Sequence, residues 1–349
     1  MEFAYWAPNL GGLVFSSVDE TDWSFASNLA VARAAEQAGF AYTLIAARFI
    51  LTSGRGEHLE SLTTTAAIAA GTERLKLVTA VHPGLWHPGV VAKIGATIDH
   101  IAPGRFAVNV VSGWFRREFH AFGEPWLDHD ERYRRSAEFI EVLRGLWGTD
   151  EFTYRGDFYR INEAWLAPRP ATMPEVFQGG NSTAAREMAV RLSDWYFMNG
   201  AEPAKVRAQV AEVRELAGAA GRRLRFALNG YVIARETEAE AEAVLDRIMR
   251  HANADAVRAF ASHAQGAGAS TKDRIGMWAQ SDLASLVQPN DGLRTGLIGS
   301  YAQVAERICE LGDAGVDCLL CGFLDMPAEI PAFGEHVIPL VRAAGGPMV

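Results

Sequence analysis

The run Phe106-Ala-Val-Asn109-Val-Val111-Ser112-Gly-Trp114 decides how this chain is read, and Glu175-Val-Phe-Gln178-Gly179-Gly180-Asn181-Ser182 is its counterpart. Each begins as a short, nearly continuous apolar run, the pattern of a strand covered on both faces. Each ends in small polar residues just ahead of a helical pattern. In α/β barrels that junction is where catalytic and phosphate-binding groups collect. A Gly-Gly-Asn-Ser turn entering a helix offers backbone N–H groups and a hydroxyl to an anion. Leu127-Asp-His129-Asp-Glu-Arg132-Tyr133 follows the first run, and His129 and Tyr133 are spaced to share one helix face.

Outward from these runs, strand patterns at 2–6, 42–46, 75–81, 106–111, 175–178, 194–198, 224–234 and 316–321 alternate with helical ones. The helices fall at 23–39, 59–70, 88–101, 130–147, 182–192 and 203–220, then on to about 264, with a last one ending near 342. Such βα alternation predicts a TIM (β/α)8 barrel, α/β in class, with a doubly wound sheet as the alternative. One domain over 1–349 is expected. Three segments interrupt the pattern: a polar loop at 53–56, an aromatic-polar alternation at 152–161 that reads as a hairpin, and 265–299. The last is long for a compact domain and predicts a mobile lid over the active-site face.

With 49% hydrophobic residues in 349, a sizeable core can form, and a formal charge of −9 disfavours nucleic acid and anionic membranes as partners. No charged, then apolar, leader pattern follows Met1, and no apolar stretch approaches the roughly 20 residues of a membrane helix. A cytoplasmic protein is expected. Cys318 and Cys321 form a C-x-x-C, but inside an apolar strand pattern, so buried thiols are expected rather than a redox pair or a metal site. No G-x-G-x-x-G follows a strand and no P-loop is present; Gly266-Ala-Gly268 lacks a third glycine. A Rossmann-type NAD(P)H site is not expected.

The chain resembles the bacterial luciferase-like, two-component flavin monooxygenases, most of all their dimethyl sulfone monooxygenases and more distantly the alkanesulfonate monooxygenases. The likeness runs from Phe3-Ala-Tyr-Trp6 through Ile233-Ala-Arg-Glu-Thr237 to Gly322-Phe-Leu324, and the segments 126–139 and 177–182 are its most specific parts. It implies reduced FMN as cofactor, O2 as co-substrate, a separate NAD(P)H-dependent flavin reductase as partner, and a homo-oligomer, dimer or tetramer. It further implies oxidation of a small organosulfur compound with C–S cleavage, foremost dimethyl sulfone to methanesulfinate and formaldehyde. Alternatives are an alkanesulfonate or methanesulfonate monooxygenase, a deazaflavin-dependent oxidoreductase, and a flavin-binding protein without turnover.

On this reading Tyr133, Gly179, Gly180, Asn181 and Ser182 hold the phosphate. His129 holds the phosphate or ribityl chain, or only caps its helix. Asn109 and Ser112 either bond the flavin ring edge or cap the strand end. Trp6, Trp86, Trp114 and Trp195, near the carboxyl ends of strands one, three, four and six, would wall an apolar pocket that keeps water out. His82, Asn199, Tyr231 and Phe323 complete it. Arg48 is the one cation placed in the mouth; it binds a sulfonyl oxygen or a developing anion, or pairs with a nearby carboxylate. Arg48, Asn109 and Trp114 are the catalytic candidates. The alkanesulfonate enzymes carry Arg and His where this chain has Asn229 and Tyr231, an Arg at the place of Asn290, and a Tyr at that of Phe323. A desolvated sulfonate needs a cation, so a neutral dipolar substrate is expected.

Overall fold

A computed structural model of the chain describes residues 1–52, 56–268, 278 and 281–344. Strands β1 (Glu2–Trp6), β2 (Tyr42–Ile45), β3 (Lys76–Val81), β4 (Phe106–Val110), β5 (Glu175–Gly179), β6 (Trp195–Met198), β7 (Arg225–Tyr231) and β8 (Cys318–Gly322) close into one parallel barrel in chain order. Closure comes where β8 returns to β1, with Tyr5 opposite Cys321. That pairing excludes a doubly wound sheet, whose edges stay open.

Around the barrel lie α1 (Phe25–Ala38), α2 (Ser61–Gly71), α3 (Pro88–Ile101), α4 (His129–Gly148), α5 (Thr183–Leu192), α6 (Pro203–Ala219), α7 (Tyr301–Asp313) and α8. The last is a run of three pieces, Met326–Ala332, Phe333–Val337 and Ile338–Ala343, with Pro331 and a π-turn marking the breaks. Caps set the ends: Ser24 accepts from Ser27 N to start α1, and Gly39 closes it at φ 94°. The hairpin is present as Phe152–Arg155 against Arg160–Ala164.

Helix α7 was not foreseen. Its stripe of Val304, Ala305, Ile308 and Leu311 is amphipathic, and Ser300 with Gln303 forms a capping box. The expected long seventh strand is instead β7 followed by Ile233–Arg235, which pairs in parallel with Ile298–Ser300 and returns the chain to the barrel after helices Glu238–Arg250 and Ala254–Gly268. Of the loop expected at 53–56, residues 53–55 lie outside the described residues, as do 269–277 and 279–280 of the expected lid. From 281 onward that segment is packed: Leu286, Val287, Gln288, Asp291 and Leu297 are buried.

Inside the barrel, the amino-terminal layer holds Tyr42, Phe177 and Trp195. The Trp195 ring stacks on Phe177 at 5.0 Å, lies under the Arg225 guanidinium at 3.9 Å, and donates from Nε1 to Glu175 Oε1 at 3.3 Å. Cys318 joins this layer, whereas Cys321 packs outside the sheet. Residues three apart on a strand face opposite sides, so this pair cannot act together, and both are free thiols. Among the described residues no helix is long and apolar enough to cross a membrane, and no group of three or more His, Cys, Asp or Glu could hold a metal ion.

Candidate active site

Two adjoining cavities open at the carboxyl ends of the strands. One, of about 80 Å3, is a cradle built where β5 runs into α5, facing the first turns of α4; its walls include Ser112, His129, Arg132, Tyr133, Gly180, Asn181 and Ser182. Gly180 takes φ 136°, and a Cβ there would fall 2.5 Å from the Tyr133 hydroxyl and 2.6 Å from Ala185 Cβ. Only glycine lets the turn approach so closely. Ser182 caps α5 through Ala185 N at 3.3 Å and bonds the Tyr133 phenol. Burial, eased by that bond, pushes the phenol up to about 12, so it stays a protonated donor.

Arg132, which sequence reasoning left out, supplies the charge. It is buried in the cradle wall, lies over Trp126 at 4.2 Å and donates from Nη1 to Leu127 O at 2.7 Å. Burial lowers it to about 10, still cationic at neutral pH. Its place three residues after His129, one turn along the same helix, was the signal available. His129 Nδ1 lies 2.8 Å from Asp130 Oδ1, and Ser136 donates to the Ser112 hydroxyl at 2.9 Å. The Asn181 side-chain carbonyl is taken by Arg186 and Gln209, leaving that residue's backbone to the cradle. With two helix N-termini and a buried guanidinium, the cradle suits a phosphate.

The other cavity, of about 270 Å3, shares Val111, Trp114, Gly179 and Trp278 with the first and is walled mostly by apolar side chains, among them Trp6, Leu13, Phe197 and Phe260. Asn109 projects into it from β4, and its Oδ1 is buried with no hydrogen-bond partner among the described residues. Gly179 leaves the wall beside it bare. An acceptor awaiting a donor next to a bare backbone, joined to a phosphate cradle, fits a flat N–H-bearing ring such as that of a flavin.

Arg48 and His82 line the same chamber. Arg48 Nη1 donates to Ala47 O and to His82 Nε2, each at 2.9 Å, and the guanidinium covers the Trp114 ring at 4.4 Å. His82 Nδ1 lies 3.0 Å from Val111 O. Only neutral imidazole with its proton on Nδ1 satisfies both contacts. Burial, reinforced by Arg48, accordingly lowers His82 from 6.5 to about 4. Behind Arg48 stands Glu118, absent from the expected site, fully buried with Oε2 at 3.7 Å from Nη1.

Residues 288–292 form a strap over the chamber, tied to the barrel by amides. Trp6 Nε1 donates to Asn229 Oδ1 at 2.6 Å, and Asn229 Nδ2 donates to Asn290 O at 3.0 Å and Gln288 Oε1 at 3.4 Å. Gln288 Oε1 also accepts from Gly292 N at 2.6 Å. Gln288 and Asn290 reach the chamber.

The structure thus gathers Trp6, Arg48, His82, Asn109 and Trp114 in the chamber, and Ser112, His129, Tyr133, Gly179, Gly180, Asn181 and Ser182 in the cradle. Five expected pocket residues stand elsewhere. Trp195 begins β6 and belongs to the opposite end of the barrel. Trp86 packs at a tilt against Phe49 at 4.6 Å and stacks on His82 without lining the chamber. Asn199 bonds Asp291 beneath the strap. Tyr231 lays its ring against Gly322, which leaves it room, and packs outside the chamber. Phe323 turns outward onto Phe40 and Phe333.

A model of the luciferase-like monooxygenase family matches residues 1–318. The chain is 50% identical over 346 residues to the FMNH2-dependent dimethylsulfone monooxygenase of Pseudomonas putida, covering 98% of this chain and 95% of that one. Its likeness to the protein of the same description from Pseudomonas fluorescens is 50% over 344 residues, 98% and 94% of the two chains. In fold it superposes on the crystal structure of the long-chain alkane monooxygenase LadA with a TM-score of 0.85 at 19% identity, over 100% of this chain and 92% of that one.

Proposed function

The chain belongs to the luciferase-like monooxygenases, and from that premise we propose that it is an FMNH2-dependent monooxygenase converting dimethyl sulfone to methanesulfinate and formaldehyde. The observation that carries the substrate assignment is the charge of the chamber. Arg48 is the one cation among the described residues lining it, and buried Glu118 answers that charge from behind. The chamber therefore offers N–H donors without net charge, which suits a neutral, strongly dipolar sulfone better than a sulfonate anion.

The cradle residues would hold the phosphate of FMN, with Arg132 and the two helix N-termini answering its charge, and Asn109 Oδ1 would accept from the ring. Bound there, reduced FMN supplies the two electrons with which O2 is divided between substrate and water. One oxygen atom leaves in formaldehyde and the other in water, so the sum for dimethyl sulfone, O2 and FMNH2 balances. Arg48 holds a sulfonyl oxygen through its remaining N–H groups. His82, neutral, fixes the guanidinium and takes no proton. Trp6, Phe197, Phe260 and Trp278 exclude water. Since no nucleotide-binding loop is evident in the sequence, FMNH2 comes from a separate NAD(P)H-dependent flavin reductase.

The test supplies FMNH2 and O2 with dimethyl sulfone or methanesulfonate, and measures methanesulfinate, formaldehyde and sulfite. The sulfone should have the higher kcat/KM. Sulfite release from methanesulfonate with the higher kcat/KM would reject the assignment.

A further inference from the structure

We propose that Glu118, which does not line the chamber, is the specificity-determining residue that makes the site favour neutral sulfones over sulfonate anions; this rests on the reading above. Glu118 sits on the short helix Arg116–Ala121 and is fully buried. Its Oε1 accepts from Phe49 N at 2.6 Å and from Ile50 N at 3.2 Å, the two amides that follow Arg48. Its Oε2 faces Arg48 at 3.7 Å. One carboxylate thus fixes the loop after β2 and opposes the charge that the loop presents.

The loop alone does not require a carboxylate. Both amides converge on one oxygen, so the single carbonyl oxygen of a glutamine would hold them equally well. The second oxygen and the negative charge go beyond what the backbone asks. With His82 neutral, the Arg48–His82–Glu118 group sums to zero charge. An anion entering the chamber meets Arg48 first but feels Glu118 a few ångströms behind, in surroundings that screen poorly. A sulfone, having no net charge, feels the carboxylate only weakly.

The experiment uses the FMN-loaded protein and titrates methanesulfonate and dimethyl sulfone separately, by calorimetry and by quenching of tryptophan fluorescence. Glu118→Gln keeps the loop acceptor and removes the charge. It should raise the affinity for methanesulfonate relative to the sulfone about tenfold, with thermal stability and flavin affinity close to wild type. Arg48→Gln reads the same balance from the other side and should move the ratio in the opposite direction. Should Glu118→Gln fail to fold, Glu118→Met, which removes the same charge, decides the matter by shifting the ratio toward methanesulfonate or leaving it unchanged. Glu118→Asp, which keeps the charge, should keep the wild-type ranking. An unchanged ratio in a folded Glu118→Gln, or shifts of the same sign in Glu118→Gln and Arg48→Gln, overturns the proposal. Should the wild type fail to turn over dimethyl sulfone, the substrate assignment falls, while the binding ratios still decide on Glu118.

Discussion

His82 has its two ring nitrogens committed, one to Val111 and one to Arg48, and both contacts hold only while the ring is neutral. Its pKa is about 4 in the fold against 6.5 free. Between those values the unfolded chain binds more protons, so stability rises with pH. The contribution is complete above pH 6.5 and is lost as pH falls toward 4, on the order of 3 kcal/mol in all. Acid denaturation should therefore be shallower in this window for His82→Gln than for wild type, measured as urea midpoints against pH. In the cradle, Tyr133→Phe and Ser182→Ala should each weaken FMN binding by about 1–2 kcal/mol, read by flavin titration. Ser182→Ala should also lower thermal stability, because it removes the cap of α5. Unchanged flavin affinity in both variants would remove them from the phosphate site. These residues were legible because Gly179-Gly180 marks the turn on which they converge. Glu118 was not: one acid among Arg116, Arg117 and His120 reads as a solvated face, and only the folded loop at Phe49 gives it partners.

Asn229 shows how an element can mislead by substitution pattern alone. The sequence presents it as the loss of a cation, which is half of its role. The structure adds that its amide ties β1, β7 and the strap together. Asn229→Ala should destabilise the protein by about 1–3 kcal/mol, since it strands the indole N–H of Trp6. It should also raise hydrogen peroxide formed per FMNH2 oxidised at the expense of methanesulfinate, because a loose strap admits water to the chamber. Equal coupling in a measurably destabilised variant would limit the tie to stability. Strand and helix positions were largely readable, since parallel strands covered on both faces leave continuous apolar runs. Helix α7 was overlooked because its stripe is diluted by Gln303, Glu306 and Glu310 and it directly follows the irregular 265–299 segment. Side-chain direction at strand ends was the weakest point. Tyr231 lies where β7 finishes, and there alternation no longer dictates which way a ring turns, whereas Phe323 simply keeps the outward side of Leu319 and Cys321.

At the scale of the molecule, the barrel divides its two ends between stability and chemistry. The amino-terminal end is a closed layer of rings under ion pairs, with Glu175 bound to Arg225 and, at 3.2 Å, to Lys76. Trp195→Ala there should cost about 3–5 kcal/mol of stability and leave the sulfone affinity of the folded fraction unchanged; a selective loss of affinity would return this residue to the pocket. The barrel itself could be foreseen from its alternation, while the end on which a given tryptophan falls depended on where a four-residue strand begins. The two cavities at the other end share part of their wall but take their charged groups from different segments. On the proposed reading the phosphate would be held by the β5–α5 turn and the start of α4, whereas the charge pair comes from the loop after β2 and the helix at Arg116–Ala121. A lineage carrying this scaffold can therefore exchange its diet by mutations in the second pair of loops while inheriting its cofactor unaltered through the first.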